Sequence, residues 1–371
     1  MVDVVSMYKR HSREIDRKIK YLINKGSFIQ GNEVTSFEEN LSKFLKSKHT
    51  ISCGNGTDAL YIALMALDLK PGDEVIVPSF TFISTVEAVC LLGLKPVFVD
   101  INPNTFLIDV EMIENSITEK VKAVIPVHLF GQCCDMVEIL RISKQYNIYV
   151  IEDAAQSIGS SCVISDKLNR KFSGTIGHIG TTSFYPSKNL GAFGDGGAIF
   201  TQDKVLAKKI KLISNHGQNK KYSHQIIGLN SRLDSIQAGI LNCKLKYLGS
   251  DNIKRFNVAK KYNELLSDLD WITLPKKTEK SDHIFHQYSI LLNEKVNRTS
   301  FQKYMSKNEV PTMIYYPIPA HKQNAYKKFA TKKLSISETI SENIISLPIH
   351  PVMKNNQVKY ICDLIRNFKY S

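Results

Sequence analysis

The sequence predicts an α/β protein with a three-layer α/β/α major domain, built on a mainly parallel sheet, and a small C-terminal α+β domain. Short β-rich runs alternate with helical runs from Ser52 to about Phe200, which is typical of parallel strands joined through helices. From about Ser231 the pattern changes to a long helical stretch followed by short mixed elements. We therefore expect the major domain to cover residues 1–250, with an N-terminal helix, and the small domain to cover residues 251–371.

The individual elements are predicted from runs of β-branched or periodic apolar residues. Strands are predicted at 73–77, 95–99, 123–127 and 148–151, and a helix at 58–67. In the second part, one long helix is predicted at 231–265, then a β-like run at 285–292, a helix at 298–307, a short run at 312–316 and a final helix at 357–368. Because ligands of such sheets bind beyond the carboxyl ends of the strands, we expect the site near Asp153 and the loop with Thr81 and Phe82.

The composition is that of a large globular protein. The chain has 371 residues, 43% of them hydrophobic, and a formal net charge of +14. Its lysines are scattered through predicted helices without an arginine-aromatic cluster, so we expect no nucleic-acid partner. The positive charge is interpreted either as a field that attracts a small anionic substrate or as a plain compositional bias.

The N-terminal sequence and the cysteine content both favour a cytoplasmic location. The stretch from Tyr8 to Lys25 is amphipathic and charged, unlike a signal peptide, and the apolar region 82–99 is interrupted by Glu87 and Lys95. The seven cysteines lack metal-ligand spacing, which favours reduced thiols and no metal site. We predict a cytoplasmic protein that does not associate with membranes.

Lys188 lies between a serine-bearing strand and a glycine-rich bend, downstream of an aspartate at a predicted strand end. A lysine amine condenses with an aldehyde when burial or a neighbouring cation lowers its pKa. Asp153 can keep a pyridine nitrogen protonated, so that the ring accepts electrons from a forming carbanion. Either residue alone is more often a solvated charge or a cap. Together they favour pyridoxal 5'-phosphate as the cofactor, with Lys188 and Asp153 as catalytic residues.

The phosphate of this cofactor requires a cradle. Gly56 and Thr57 directly precede a helical run, where free backbone N–H groups and the positive end of the helix attract an anion. Ser183 offers a hydroxyl five positions before Lys188. An equally simple interpretation of Thr57 is a helix cap.

Seven motifs, in a fixed order, resemble those of the DegT/DnrJ/StrS nucleotide-sugar aminotransferases over nearly the whole chain. They are G-N-G-T-D-A-L from Gly54, P-S-F-T-F-I-S-T from Pro78, V-H-L-F-G-Q from Val127, E-D-A-A-Q from Glu152, S-F-Y-P-S-K-N-L-G-A-F-G-D-G-G from Ser183, N-H-G-Q from Asn215 and G-L-N-S-R-L-D-S-I-Q-A from Gly228. The ordered set is far more specific than any single motif. The resemblance implies the fold of type-I pyridoxal-phosphate transferases.

The resemblance also implies roles for further residues. Gln156 is similar to the residue that contacts the cofactor's ring hydroxyl, and Phe82 to the aromatic residue that stacks on the ring. Asn230 resembles the asparagine that reaches the phosphate from the neighbouring subunit, with Arg232 near the anionic groups of the sugar nucleotide. These likenesses imply a homodimer with two shared sites and glutamate as the amino donor.

Within the family, several segments resemble the enzymes that aminate C3 of UDP-2-acetamido-2-deoxy-3-oxo-glucuronate for surface polysaccharides. They are I-S-C-G-N-G-T-D-A-L from Ile51, F-G-Q-C-C-D from Phe130, N-H-G-Q-N-K-K-Y from Asn215, P-I-P-A-H-K-Q from Pro317 and S-L-P-I-H-P from Ser346. Where that group can show His-Tyr, this chain has Tyr315 and Tyr316, which we expect to contact the substrate.

Three alternatives stay open at this point. The substrate could be a dTDP-linked 3-oxo- or 4-oxo-6-deoxyhexose, since sugar-binding loops differ subtly within the family. A related sugar dehydratase is disfavoured because those relatives have histidine in place of Lys188. A noncatalytic sensor or regulatory protein that only binds the cofactor would keep the same cofactor residues.

Overall fold

The computed structural model describes residues 1–165 and 169–369. The helices are α1 (Val4–Lys9), α2 (Ser12–Lys25), α3 (Asn32–Leu45), α4 (Gly56–Ala66), α5 (Ser84–Leu91), α6 (Val110–Glu114), α7 (Met136–Tyr146), α8 (Lys204–Ile213), α9 (Ser235–Leu245), α10 (Leu248–Leu266), α11 (Arg298–Lys307), α12 (Ser335–Asn343) and α13 (Asn355–Asn367). The strands are β1 (His49–Cys53), β2 (Glu74–Pro78), β3 (Lys95–Val99), β4 (Val121–Val124), β5 (Tyr149–Asp153), β6 (Ser161–Val163), β7 (Arg170–Phe172), β8 (Ile179–Ser183), β9 (Gly197–Thr201), β10 (Gln218–Lys220), β11 (Ser223–His224), β12 (Ile272–Thr273), β13 (Tyr288–Leu292) and β14 (Ile344–Leu347).

A seven-stranded sheet organises the first part of the chain, in the order β1-β9-β8-β5-β4-β2-β3. Strand β9 runs antiparallel to both of its neighbours, β1 and β8, and the other neighbouring strands pair in parallel. The predicted α/β class with a mainly parallel sheet is therefore confirmed. Because β1, β2, β5 and β8 run in one direction, their carboxyl ends lie at the same edge of the sheet.

The sheet is buried on both faces because successive strand residues point to opposite sides. In β2, Val75 and Val77 face the apolar cluster that contains helices α4, α5 and α8. Between them, Ile76 faces the opposite cluster, which contains α7. Helix α4 is apolar on most of its surface, which suits its position between the sheet and other helices. This is the predicted arrangement of three layers.

A second, antiparallel sheet, β12-β13-β14, lies in the C-terminal part. Its apolar face packs with α10, α11 and α13 in a separate cluster. Helix α10 begins in a cluster of the first part, through Leu248, and ends in this one, through Leu266. Residue 250 thus lies at the start of the helix that links the two cores, and we propose the division between domains there.

The prediction of a single helix at 231–265 is wrong. The segment forms α9 and α10, separated at Lys246 and Tyr247. The ring of Tyr247 stacks on that of His11, with the centroids 3.7 Å apart, so a tertiary contact coincides with a break that the periodicity of the sequence does not mark. In the run at 312–316, Met313 pairs with Ser346 as an isolated bridge.

No helix in the described ranges is both long enough and apolar enough to cross a lipid bilayer.

Candidate active site

The shared edge of the large sheet brings most of the predicted site residues together. Asp153 ends β5, Ser183 ends β8, and Gly56 begins the helix that follows β1. Phe82 lies in the loop after β2, and Lys188 lies in the turn after β8. Residues from four separate strands therefore meet at one edge, as expected for a parallel sheet.

The start of α4 forms an anion cradle. Asn55 caps the helix by accepting a hydrogen bond from the Asp58 N–H at 2.8 Å. Within the described residues, the N–H groups of Gly56 and Thr57 have no hydrogen-bond acceptor, so they are available to an anion. The Thr57 hydroxyl lies 2.7 Å from that of Ser84.

Two glycines keep this cradle open. A Cβ at Gly56 would lie 2.7 Å from Cβ of Ser183, and a Cβ at Gly197 would lie 2.4 Å from the Asn55 carbonyl oxygen. Both distances are far below an ordinary contact, so any side chain at either position would push the elements apart. Gly56 and Ser183, which the sequence proposed as phosphate ligands from distant motifs, are in direct proximity.

The Lys188 amine has a lowered pKa, which condensation with an aldehyde requires. Desolvation lowers its pKa from the ordinary 10.5 to about 8, and the negative charge of Asp153 partly opposes that shift. In the described part of the chain, no group accepts a hydrogen bond from the amine. A lysine with a lowered pKa and a free amine can attack an aldehyde near neutral pH.

Asp153 is held in one orientation. The residue is buried, and its Oδ2 accepts a hydrogen bond from the Thr85 hydroxyl at 2.8 Å. Its Oδ1 accepts a second hydrogen bond, from the Ala155 N–H at 3.2 Å. The preceding residue, Glu152, points to the other side of β5, where it meets His128 at 2.8 Å.

Gln156 connects two walls of the site. Its Oε1 accepts a hydrogen bond from the Phe130 N–H at 2.8 Å, and its Nε2 donates to the hydroxyl of Tyr316 at 2.9 Å. Burial raises the pKa of Tyr316 well above its usual value. The rings of Tyr316 and Phe82 lie 6.0 Å apart, and Phe82 remains 54% exposed. Tyr315 is adjacent, so the predicted substrate residues lie beside the predicted cofactor residues.

A hydrogen-bonded triad, which the sequence reasoning missed and of which Ser79 and His321 are buried, anchors the segment that follows these tyrosines. The Ser79 hydroxyl lies 2.5 Å from Nδ1 of His321, and Nε2 of His321 lies 3.2 Å from a carboxylate oxygen of Glu338. Ser79 is fully buried and directly follows β2. The motif P-I-P-A-H-K-Q contained His321, but its partners are distant in sequence, so no local pattern could identify the contact. The same holds for Thr85, which belongs to the motif P-S-F-T-F-I-S-T.

Asn230 and Arg232 are not brought into the site of their own chain. Asn230 is exposed, and its backbone pairs with that of Asn215 in an isolated bridge. Arg232 donates to Oδ1 of Asn215 at 3.3 Å and lines a separate cavity of about 730 Å³. Between them, Ser231 accepts a hydrogen bond from the N–H of Gly54, so this segment is anchored next to the cradle.

The residues present fit a phosphorylated pyridine aldehyde. The open cradle at Gly56 and Thr57 suits the phosphate, Asp153 is an oriented carboxylate for a ring nitrogen, and Lys188 is an unpaired amine for the aldehyde. The amide of Gln156 offers polar atoms at the same edge. The predicted cofactor, pyridoxal phosphate, therefore agrees with the donors and acceptors found here.

Comparison with known proteins gives a family match and several similar proteins. The model of the DegT/DnrJ/EryC1/StrS aminotransferase family matches residues 9–366. The UDP-2-acetamido-2-deoxy-3-oxo-D-glucuronate aminotransferase of Pseudomonas aeruginosa is 42% identical over 99% of this chain and 99% of its own length. A "Pleiotropic regulatory protein" of Geobacillus stearothermophilus is 41% identical over 99% and 98%. The dTDP-3-amino-3,6-dideoxy-alpha-D-galactopyranose transaminase of Aneurinibacillus thermoaerophilus is 40% identical over 100% and 99%.

Solved structures agree. A DegT/DnrJ/EryC1/StrS aminotransferase from Brucella abortus superposes with a TM-score of 0.93 and 38% identity, covering 99% of this chain and 98% of that chain. NtdA from Bacillus subtilis, solved with bound cofactor PMP, superposes with a TM-score of 0.87 and 35% identity, covering 96% of this chain and 82% of that chain.

Proposed function

This chain belongs to the DegT/DnrJ/EryC1/StrS aminotransferase family, whose cofactor is pyridoxal phosphate, and we propose that it transfers an amino group from glutamate to C3 of UDP-2-acetamido-2-deoxy-3-oxo-glucuronate. The proposed substrate rests on the similarity to the relative from Pseudomonas aeruginosa, which matches over essentially the full length of both chains. The product would serve the synthesis of a surface polysaccharide.

The bound cofactor supplies an aldehyde and a protonated ring that accepts electrons from the reacting carbon. We propose that Gly56, Thr57 and Ser183 hold its phosphate and that Asp153 holds its ring nitrogen. Gln156 would bind the ring hydroxyl, and Phe82 would cover the ring. The oriented carboxylate and the free N–H groups support these assignments.

Lys188 has two roles in this proposal. Its amine would hold the cofactor and, once displaced by the amino donor, would carry a proton to and from the substrate carbon. The pKa of about 8 supports this role because the amine can both accept and release a proton near neutral pH. Tyr315 and Tyr316 would then contact the sugar, and Arg232 of the neighbouring chain its anionic groups.

We propose that two chains share two sites. Asn230 is exposed in its own chain and would reach the cofactor phosphate of the partner. Tyr222 is 82% exposed and Ile227 is 86% exposed on the same segment, and such apolar exposure favours a protein contact. The seven cysteines are all free, which fits the reducing cytoplasm in which we propose that the enzyme works.

A substrate panel tests the proposal. The purified, cofactor-loaded protein is mixed with glutamate and, in turn, with enzymatically generated 3-oxo and 4-oxo nucleotide sugars, and products are identified by mass spectrometry and NMR. Amination at C3 of the UDP-glucuronate derivative supports the proposed reaction.

Two relatives define the competing outcomes. Amination of only a dTDP-linked 3-oxo- or 4-oxo-6-deoxyhexose would replace the substrate, in line with the transaminase from Aneurinibacillus thermoaerophilus. No change of the cofactor absorbance with any amino donor would favour a binding protein without turnover, in line with the name of the Geobacillus stearothermophilus relative.

A further inference from the structure

Two buried threonines form a hydrogen-bonded chain that ends on Asp153. The Thr85 hydroxyl donates to Oδ2 of Asp153 at 2.8 Å, and the hydroxyls of Thr81 and Thr85 lie 3.1 Å apart. All three residues are buried, Thr85 completely. Because a carboxylate can only accept a hydrogen bond, the hydrogen of Thr85 is committed to Asp153, and Thr81 is therefore the donor to Thr85. The chain runs in one direction, from Thr81 through Thr85 to Asp153.

The direction of this chain favours a charged, fixed carboxylate. A hydroxyl that already accepts a hydrogen bond is a stronger donor, because the bonds of a chain polarise one another. A donor bonded to a carboxylate stabilises its charged form. Since Oδ1 of Asp153 accepts from the Ala155 N–H at 3.2 Å, the carboxylate is held through both of its oxygens. Each oxygen still has a lone pair for a further partner.

The same short segment also contacts the cradle. Ser84 directly precedes Thr85 at the start of α5, and its hydroxyl lies 2.7 Å from that of Thr57. The N–H of Thr85 donates to the carbonyl oxygen of Phe82 at 3.3 Å, which joins the start of the helix to the residue proposed to cover the ring. The segment 81–85 therefore supplies one hydroxyl at the cradle and one at the carboxylate proposed for the ring nitrogen.

We propose that Thr85 is a positioning residue for the cofactor ring, that it acts through Asp153, and that Thr81 orients its hydroxyl. The hydroxyl of Thr85 holds Oδ2 of Asp153 in place and stabilises its charge, so that the carboxylate can keep a proton on the ring nitrogen. Neither threonine gives up its own proton. The inference rests on the proposed function, in which Asp153 binds that nitrogen.

A cofactor analogue isolates this contribution. In deazapyridoxal phosphate a C–H group replaces the ring nitrogen, while the aldehyde, the ring hydroxyl and the phosphate are kept. A residue that acts on the nitrogen through Asp153 should affect binding of pyridoxal phosphate but not binding of the analogue. The affinities of the cofactor-free protein for both ligands are measured by equilibrium dialysis, without any sugar substrate.

Two substitutions separate the hydroxyl of Thr85 from the rest of its side chain. Thr85→Val keeps the shape and removes the hydroxyl. We expect it to weaken binding of pyridoxal phosphate roughly tenfold, as for the loss of one hydrogen bond to a charged group, and binding of the analogue by less than about twofold. Thr85→Ser keeps the hydroxyl and should retain the wild-type ratio of the two affinities. Thermal unfolding of both variants is measured, so that a loss of fold is recognised separately.

Ser84→Ala is the matched control. It removes the neighbouring hydroxyl on the side of the phosphate, which both ligands carry, so its effect on the two affinities should be equal. Equal weakening of both ligands by Thr85→Val, or a changed ratio in Thr85→Ser, would overturn the inference and leave Thr85 as a structural contact only. Thr81→Val should change the ratio in the same direction as Thr85→Val by a smaller factor, and an unchanged ratio would overturn the role of Thr81.

Asp153→Asn distinguishes a failure of this inference from a failure of the proposed function. It should change the ratio of the two affinities more than Thr85→Val does. If Asp153→Asn changes the ratio and Thr85→Val does not, the inference is wrong and the proposed role of Asp153 stands. If Asp153→Asn leaves the ratio unchanged, that role is wrong, and the inference with it. The expected ratios without amination of any sugar would count against the proposed substrate alone.

Discussion

The cradle at the start of α4 and the exposed segment at 217–232 both carry residues proposed to bind the cofactor, but they differ in how far one chain completes them. At the cradle, Gly56 is in contact with Ser183, and Asp153 is bonded on both oxygens. On the segment, Asn230 is exposed beside the strongly exposed Ile227. The difference teaches that one chain by itself brings the proposed ligands of the cradle together, whereas the segment leaves polar and apolar groups exposed, which is what the proposed shared site requires.

The largest effect is expected at the centre itself. Replacing Lys188 with alanine should abolish turnover, a loss of roughly 1,000-fold or more in kcat, and remove the absorbance of the covalently held cofactor, while the fold persists. Lys244 provides a matched control, since desolvation also lowers its pKa to about 8.

The Lys244 amine, unlike that of Lys188, donates to the Gly191 carbonyl oxygen. Lys244→Gln should therefore keep the cofactor absorbance. If Lys244→Gln lost the absorbance as Lys188→Ala does, the assignment of Lys188 would be contradicted.

A smaller but still large effect is expected at the cradle. In Gly56→Ala the added Cβ would meet Cβ of Ser183 at 2.7 Å, which should lower the free energy of unfolding by about 1–3 kcal/mol through overpacking and weaken phosphate binding. Gly249→Ala is the matched control, because nothing lies within 4 Å of a Cβ there.

Gly249 lies within α10, so its substitution should stabilise the protein by about 0.5–1 kcal/mol. Denaturant unfolding and cofactor titration measure both variants. Equal stabilisation by the two substitutions would show that the cradle is wider than described.

The exposed segment is tested by subunit complementation. Asn230→Ala should weaken cofactor binding about tenfold, as expected for one hydrogen bond to a charged group. In a refolded mixture of Asn230→Ala and Lys188→Ala chains, hybrid dimers contain one site with both native residues. The mixture should therefore be more active than the sum of its two parents. A mixture no more active than that sum would contradict the shared site, and so would a fully active monomer.

The smallest effect is expected when the pH is varied. Below pH about 8 the Lys188 amine is mostly protonated and cannot attack an aldehyde. The rate at which the cofactor-free protein binds pyridoxal phosphate should rise with pH and level off above about 8, followed by absorbance. A rate that continued to rise towards the ordinary lysine pKa of 10.5 would show that the amine is not desolvated.

Several features of the fold could be predicted from local patterns. The β-rich run at 95–99 predicted strand β3 with its observed bounds. The helical pattern at 298–307 likewise predicted helix α11 with its observed bounds. The strand predicted at 123–127 ends at Val124 instead. Two residues later, Pro126 lacks the N–H that the hydrogen bonds between strands require. The long helix at 231–265 failed because its break coincides with a contact between Tyr247 and His11.

The sequence by itself determined the alternation that produces a parallel sheet, and it identified the residues proposed for the chemistry: Lys188, Asp153, Ser183 and the glycines of the cradle. These features depend on residue type and short spacing, which a linear pattern contains. Only the tertiary structure decided which polar groups pair across long separations, such as Thr85 with Asp153, His321 with Ser79 and His286 with Asn189. Such pairs depend on which strand ends and loops lie side by side, and that is fixed by packing of the whole chain.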